Sequence, residues 1–181
     1  WGLGKQKYPW GAPVEHSLLR AWLRPKQKIW RERALATLEQ ELKLMDPVWG
    51  GLYQYSDDGS WTSPHYEKVA SVQAGALSNF AQAYRFTGDA RWLRAALDVY
   101  RYLVQFWRDE RGAFACSQDA DPPAAASVPG GPNSGKAYFA LDDAKRRARG
   151  LPRVDRSVYA NTNGLLIRAL CELFRASGES A

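Results

Sequence analysis

Cysteine is scarce in this 181-residue chain, and long apolar runs are missing from it. Only Cys116 and Cys171 occur, with no Cys-x-x-Cys pair and no metal-ligand spacing, so neither a disulfide framework nor a zinc site is expected. Two free thiols and a single bridge both stay open. No stretch approaches the roughly 18 apolar residues of a membrane span, and no secretory leader is visible. Serine or cysteine nucleophile signatures, phosphate-cradling glycine loops and groove-reading motifs are also lacking. The expectation is therefore a soluble protein with no metal, no cofactor, no nucleic-acid partner and no membrane span, and both cytoplasm and periplasm stay open. The chain opens at Trp1 rather than Met, as a processed or partial polypeptide would.

Aromatic side chains are plentiful, with eight Trp and nine Tyr. Such residues fill a core or line a concave surface where sugars can stack. The net charge of +6 is modestly basic, and the run Lys145-Arg146-Arg147-Ala148-Arg149 reads as a solvated helix face, as do Arg20, Arg24, Lys26 and Lys28. At this length one domain covering residues 1–181 is expected.

Helical periodicity dominates. A short helix fits residues 14–23, broken by Pro25, and a longer one fits 26–45, where Trp30, Ala34, Leu38, Leu42 and Met45 recur at three or four residues before Asp46-Pro47 ends it. Ser63 suits a helix cap, with Pro64 at the first position and Glu67 in the first turn. Val69, Val72, Ala76, Phe80, Ala83 and Tyr84 then form a buried stripe. Thr87-Gly88-Asp89 ends that helix and caps the next, over 90–108, which is expected to bury Leu93, Ala96, Leu97, Tyr100, Leu103, Val104 and Trp107. So short a joint makes the two an antiparallel hairpin. Residues 115–156 read as a mobile, loop-rich insertion with a short helix near 141–149, and a last helix fits 163–176. Three glycine-aromatic turns, Trp1-Gly2-Leu3-Gly4, Trp49-Gly50-Gly51-Leu52-Tyr53 and Arg111-Gly112-Ala113-Phe114-Ala115, stand about one hairpin apart. That repeat implies stacked supersecondary units, so the fold class is all-α, a ring of helical hairpins.

Four blocks carry a resemblance. Gly50-Gly51-Leu52-Tyr53-Gln54-Tyr55-Ser56-Asp57, Trp61-Thr62-Ser63-Pro64-His65-Tyr66-Glu67-Lys68, Ser117-Gln118-Asp119-Ala120-Asp121 and Asn163-Gly164-Leu165-Leu166-Ile167 follow in the order found in the spermatogenesis-associated, thioredoxin-domain-containing protein family of bacteria and animals. The chain resembles that family over most of its length. The resemblance implies an (α/α) barrel, the six-hairpin toroid also used by sugar epimerases and many glycosidases, of which this chain would be about two and a half hairpins without the thioredoxin-like domain. Another polypeptide or self-association would then complete the ring. Three positions depart from the family pattern. Val69-Ala70-Ser71-Val72 stands where Met-Leu-Tyr-Asp is usual, Thr162 stands where Trp is usual, and residues 122–135 replace an acidic, glycine-rich segment.

The candidate acid-base residues are His65, Glu67, Asp119 and Asp121, and the candidate substrate-binding residues are Tyr53, Tyr55, Asp57 and Trp61. At a helix start His65 and Glu67 would point about 200° apart, so each would have to work with other groups. Asp57 with Asp119 or Asp121 could form a carboxylate pair across a sugar, or all three could be turn chemistry. Trp49, Tyr53, Tyr55 and Trp61 could make a stacking platform or pack inside the barrel. His16 has no assigned role. Two functions follow: carbohydrate epimerisation or hydrolysis by acid-base residues, or a non-catalytic scaffold that binds other polypeptides through its helical faces.

Overall fold

The computed structural model describes residues 4–122 and 134–178. Its framework is five helices: α1 (Gly11–Leu23), α2 (Lys28–Glu41), α3 (Ala70–Thr87), α4 (Ala90–Tyr102) and α7 (Ala160–Ser177). Two short helices, α5 (Gly135–Phe139) and α6 (Asp143–Ala148), lie between α4 and α7. Residues 115–156 are thus more than loop. They hold α5, α6 and two short strands, while residues 123–133 of the expected insertion lie outside the described residues.

Helix α3 is the hub, packing against α1, α4 and α7. Its buried side reads Ala70, Gln73, Ala74, Ala76, Leu77, Phe80, Ala81 and Ala83, small residues interleaved with two large ones, which lets neighbouring helices approach closely. A close approach occurs at Gly75 beneath α1, where a Cβ would stand 3.0 Å from the Cα of Gly11. Burying Leu77 and Phe80 completely contributes about 1.5–3 kcal/mol each. Gly88 closes α3 in the left-handed conformation, and the Asp89 carboxylate accepts from the Arg91 N–H to cap α4.

The buried face of α4 is only partly the expected one: Ala96, Leu103 and Trp107 are buried as expected, but the face is shifted. Trp92, Ala95, Ala96, Val99 and Tyr102 face inward, whereas Leu93, Leu97 and Tyr100 are half-buried at its edge. The stripe is rotated because both sides of the helix carry apolar residues at helical spacing, and the larger aromatic side won. A π-helical turn, Leu103–Trp107, widens the end of α4 and turns both Phe106 and Trp107 into the core.

Helices α1, α3 and α7 form one layer, and α2 and α4 back it as the second member of each hairpin. Short joints, residues 24–27 and 88–89, lie at one end. The long connections before α3 and α7 therefore lie at the other, and short strands stitch them together there. Strand β1 (Tyr55–Ser56) pairs antiparallel with β2 (Pro64–His65), and β3 (Lys68–Val69), β4 (Ser117–Gln118) and β5 (Val154–Asp155) form an antiparallel three-stranded sheet directly before α3 and α7. The segment leading into α1 joins the same end through the Lys7–Ser56 bridge.

Two of the glycine-aromatic turns share one device. The side-chain amide of Gln73, on the fourth residue of α3, donates to Leu52 O (2.7 Å) and accepts from Leu52 N (2.8 Å). Asn163, on the fourth residue of α7, does the same for Phe114, at 3.0 and 2.9 Å. An amide offers a donor and an acceptor in the geometry of a peptide group, so each side chain acts as one rung of a strand. In the first of these turns Gly50 and Gly51 both have positive φ, and a Cβ on Gly50 would meet the Asp98 carbonyl oxygen at 2.2 Å. The third glycine-aromatic turn, at Trp1, falls outside the described residues except for Gly4.

Candidate functional site

Residues 64–69 are extended, and helix α3 begins at Ala70 after Val69 rather than at Ser63. The Ser-Pro signal for a helix start is overridden by strand pairing: Asp57 N donates to Ser63 O (2.8 Å), and Gln54 N donates to Glu67 O (2.7 Å). This overturns the expected separation of His65 and Glu67. Alternate residues of an extended chain share a side, and the two side chains stand 3.7 Å apart, Nε2 to Oε2. Both are about one-third exposed, whereas Lys68, the first residue of β3, is fully buried.

His65 borders an open cleft of about 330 Å³ with Asp57, Ser63, Tyr66, Asp121 and Lys136. Three of the predicted residues, Asp57, His65 and Asp121, thus meet at one place, where the β1–β2 hairpin faces the start of α5. Burial pushes the Tyr66 hydroxyl above its ordinary value. Asp119 is turned elsewhere: its carboxylate accepts from Arg153 Nε at 3.0 Å, on the edge of the three-stranded sheet.

The aromatic candidates are largely spoken for. Tyr53 and Trp61 are 4% and 2% exposed. Tyr53 packs edge-on against Tyr66 and Phe139, and Trp61 is turned inward at a positive φ of 65°. Trp49 is likewise buried, its indole N–H donating to Asp143 at 2.7 Å. Trp49 and Tyr53 belong to the packing, and Trp61, turned away from the His65 cleft, borders a separate cavity beside α1 and α2. Tyr55 lies between two rings, with Tyr8 at 4.8 Å on one side and His65 stacked at 4.7 Å and 12° on the other. Trp10 extends that column beyond Tyr8. With both faces covered, Tyr55 orients His65 and offers no face to a ligand ring.

Beneath the cleft lies a buried charge cluster that the sequence reading missed. Asp46, Lys68 and Arg146 are each 1% exposed or less. Lys68 Nζ donates to Asp46 Oδ2 (2.9 Å) and Gly50 O (2.7 Å); Arg146 Nη1 donates to both Asp46 oxygens (2.8 and 3.1 Å), and the Arg146 guanidinium also donates to the Phe139 and Leu141 carbonyls. Burial alone would raise the Asp46 carboxyl, but the Lys68 and Arg146 charges overcome it and hold it below the ordinary carboxylate range. Two cations share one anion, and the surplus is met by aromatic faces: Tyr102 lies 4.0 Å from Lys68 Nζ, and Trp49 4.7 Å from the Arg146 guanidinium carbon. Arg146 is therefore no part of a solvated face, as its basic neighbours suggested. It ties α6, and through it the whole segment after α4, to the turn that starts at Asp46.

The long connections at one end, the hairpin layers and the parallel order of α1, α3 and α7 have close counterparts among solved structures. A glycoside hydrolase family 76 mannosidase from Bacteroides thetaiotaomicron superposes with a TM-score of 0.71 at 14% identity, over 97% of this chain and 41% of that one. A cellobiose 2-epimerase from Bacillus thermoamylovorans gives 0.68 at 14% identity, again over 97% and 41%. The fold is an (α/α) toroid segment. A third toroid, an α-1,6-mannanase of a Salegentibacter species solved with α-1,6-mannotriose, gives 0.64 at 17% identity over 96% and 43%. No family model matches the chain. Among curated proteins it is 30% identical to human spermatogenesis-associated protein 20 over 95 residues, 51% of this chain and 12% of that protein. The rat protein of the same name is 30% identical over 111 residues, 60% of the chain and 14% of that protein. The toroid segment thus matches only a small part of those relatives' length. No described helix is long and apolar enough to cross a membrane.

Proposed function

We propose that the cleft bordered by His65, Asp57 and Asp121 binds a carbohydrate-like small molecule and that His65, paired with Glu67, serves it as an acid-base group. The observation that carries this reading is the convergence of Asp57, His65 and Asp121 on one cleft at the end where the long connections gather. Imidazole is the side chain suited to giving and taking a proton near neutral pH, and the Glu67 carboxylate stands 3.7 Å from His65 Nε2. Stacking on Tyr55 fixes the ring's plane. Asp57 and Asp121 supply acceptors for sugar hydroxyls, and Lys136 supplies a donor. Epimerisation or hydrolysis are the two reactions such an arrangement serves, and the sugar-processing enzymes that share the fold support that class as an analogy of architecture. The test is calorimetric titration with a panel of neutral mono- and disaccharides. Saturable binding is expected, weakened at least about tenfold in both His65→Gln and Asp121→Asn, the loss of a hydrogen bond worth about 1.4 kcal/mol. Silence across the panel, or unchanged affinity in both variants, rejects the reading.

A second reading, a scaffold that binds other polypeptides, is favoured by a different observation. Leu19, Trp22 and Leu23 on α1, and Leu165, Ile167 and Phe174 on α7, are each more than 40% exposed. These faces fit further helical hairpins that continue the ring. Light scattering of the purified chain checks it: self-association relieved by Trp22→Glu and Phe174→Glu is expected if a second copy can occupy them, and a monodisperse monomer at high concentration counts against that mode of assembly.

A further inference from the structure

A second, larger cavity lies on the other side of the Tyr8–Tyr55–His65 column. It measures about 810 Å³, within the range of small-molecule sites, and is a half-open pocket bordered by the segment before α1, the first turns of α1, one side of α2 and the inward-turned Trp61. Its walls are mostly apolar: Tyr8, Trp10, Pro13, Val14, Ala36 and Trp61. Glu41 lies on this wall. It is 2% exposed and occupies a core position of α2, in line with Ala34 and Leu38, where a leucine would be usual. Its Oε1 has no hydrogen-bond partner among the described residues.

The other polar groups around the cavity are engaged. Ser17 Oγ donates to Pro13 O, Thr37 Oγ1 to Arg33 O, the Tyr8 hydroxyl to Gln6, and Lys7 Nζ to Gly4 O. The Arg33 guanidinium lies over the Trp30 ring. Among the described residues that line the cavity, Glu41 Oε1 is the buried side-chain polar atom without a hydrogen-bond partner, and leaving such a group unsatisfied is costly enough that folded proteins rarely do it without a use. We propose that this cavity is a binding site for a small neutral molecule with an apolar ring and a hydroxyl group, the hydroxyl completing the hydrogen bonding of Glu41 while the ring lies among Tyr8, Trp10 and Val14. The inference is independent of the His65 cleft, since it shares none of that cleft's polar residues. Burial pushes the Glu41 carboxyl up to about 8, so at neutral pH it is an uncharged donor and acceptor, matched by an alcohol. Lys7 and Arg33, the cationic groups on the same wall, disfavour an amine, and the apolar lining disfavours desolvating any charge.

Trp10 and Trp61 line the cavity, so tryptophan fluorescence reports occupancy. At pH 6.5 the whole chain is titrated with benzyl alcohol, toluene, benzylamine and benzoate, in the wild type, Glu41→Gln and Glu41→Leu. Saturable binding of benzyl alcohol is expected, at least about fivefold tighter than toluene, about one hydrogen bond's worth. Glu41→Gln should keep that preference and Glu41→Leu should abolish it. The wild-type ratio alone decides the matter should the leucine variant fail to fold. Absence of saturable binding, equal affinity for toluene, tighter binding of the amine or of benzoate, or an undiminished preference in Glu41→Leu each overturns the proposal.

Discussion

Replacing Asp46 with Asn keeps the side chain's size but leaves Lys68 and Arg146 as two fully buried cations with no counter-charge. Breaking a buried ion pair by removing one partner costs about 3–5 kcal/mol, because the remaining charge is stranded away from water. Arg146 stays charged, whereas burial has already pushed Lys68 down to about 8 and it can shed its proton once Asp46 is gone, so a cost within that range is expected at pH 7. Lys68→Met is the informative contrast. It leaves the bidentate Asp46–Arg146 pair neutral as a unit and gives up mainly the hydrogen bonds to Asp46 and Gly50, about 1–3 kcal/mol. Urea unfolding followed by tryptophan fluorescence, with the slopes compared to check two-state behaviour, measures both. The difference should also depend on pH in one direction. The folded-state pKa of Asp46 lies below its unfolded value, so its contribution is fully present above the unfolded value and is lost as pH falls through the folded one. The part of the gap between wild type and Asp46→Asn that belongs to the carboxylate should therefore close as pH falls through the carboxylate range. An Asp46→Asn variant within about 1 kcal/mol of wild type at pH 7, or a Lys68→Met variant costing as much as Asp46→Asn, would refute the account of one anion shared by two cations.

Glu41 predicts the opposite pH slope. Its carboxyl is raised from 4.5 to about 8, so the folded form holds a proton that the unfolded chain releases, and stability should fall as pH rises between those values, by at most about 5 kcal/mol; Glu41→Gln should flatten that part of a stability–pH profile. Gly50→Ala should cost more than about 3 kcal/mol in the same unfolding assay, since the positive φ and the Asp98 carbonyl both oppose a side chain. Gln73→Leu strands the N–H and C=O of buried Leu52 and should cost about 2–4 kcal/mol, whereas Gly88→Ala, at a left-handed position with open space around it, should cost only about 1 kcal/mol.

The helical framework was legible in the sequence because it rests on periodicity, and α1, α2, α3 and α7 lie close to where apolar spacing puts them. Periodicity could not choose between two apolar sides of α4, which is why Trp92 and Val99 were overlooked and Leu93 and Tyr100 expected inside. Local signals failed where distant pairing decides. Ser63-Pro64 suits a helix cap until Tyr55 and Ser56 pair with that segment, and this one change brings His65 and Glu67 onto the same side. The gathering of Asp57 and Asp121 beside His65 depends on contacts across more than 50 residues, which no window along the chain reports. Arg146 lay within a run of basic residues that resembles a solvated face, and nothing near it in sequence announces Asp46 as its partner. Glu41 did leave a trace, a carboxylate in phase with Ala34 and Leu38, which a check of the helix for charges on its apolar side would have found.

The two amide clamps bear on how this chain can be altered. Asn163 holds Phe114 from 49 positions away, so both ends of the intervening segment are pinned together by side-chain hydrogen bonds, and the β4–β5 pairing secures them again. Within that pinned span, Asp46, through Arg146, anchors the part from α5 onward. Asp121 and Lys136, which border the His65 cleft, are thereby held in place on either side of it. A chemical label attached at Lys136 would therefore stand at the rim of that cleft, a handle from which it could be covered or watched.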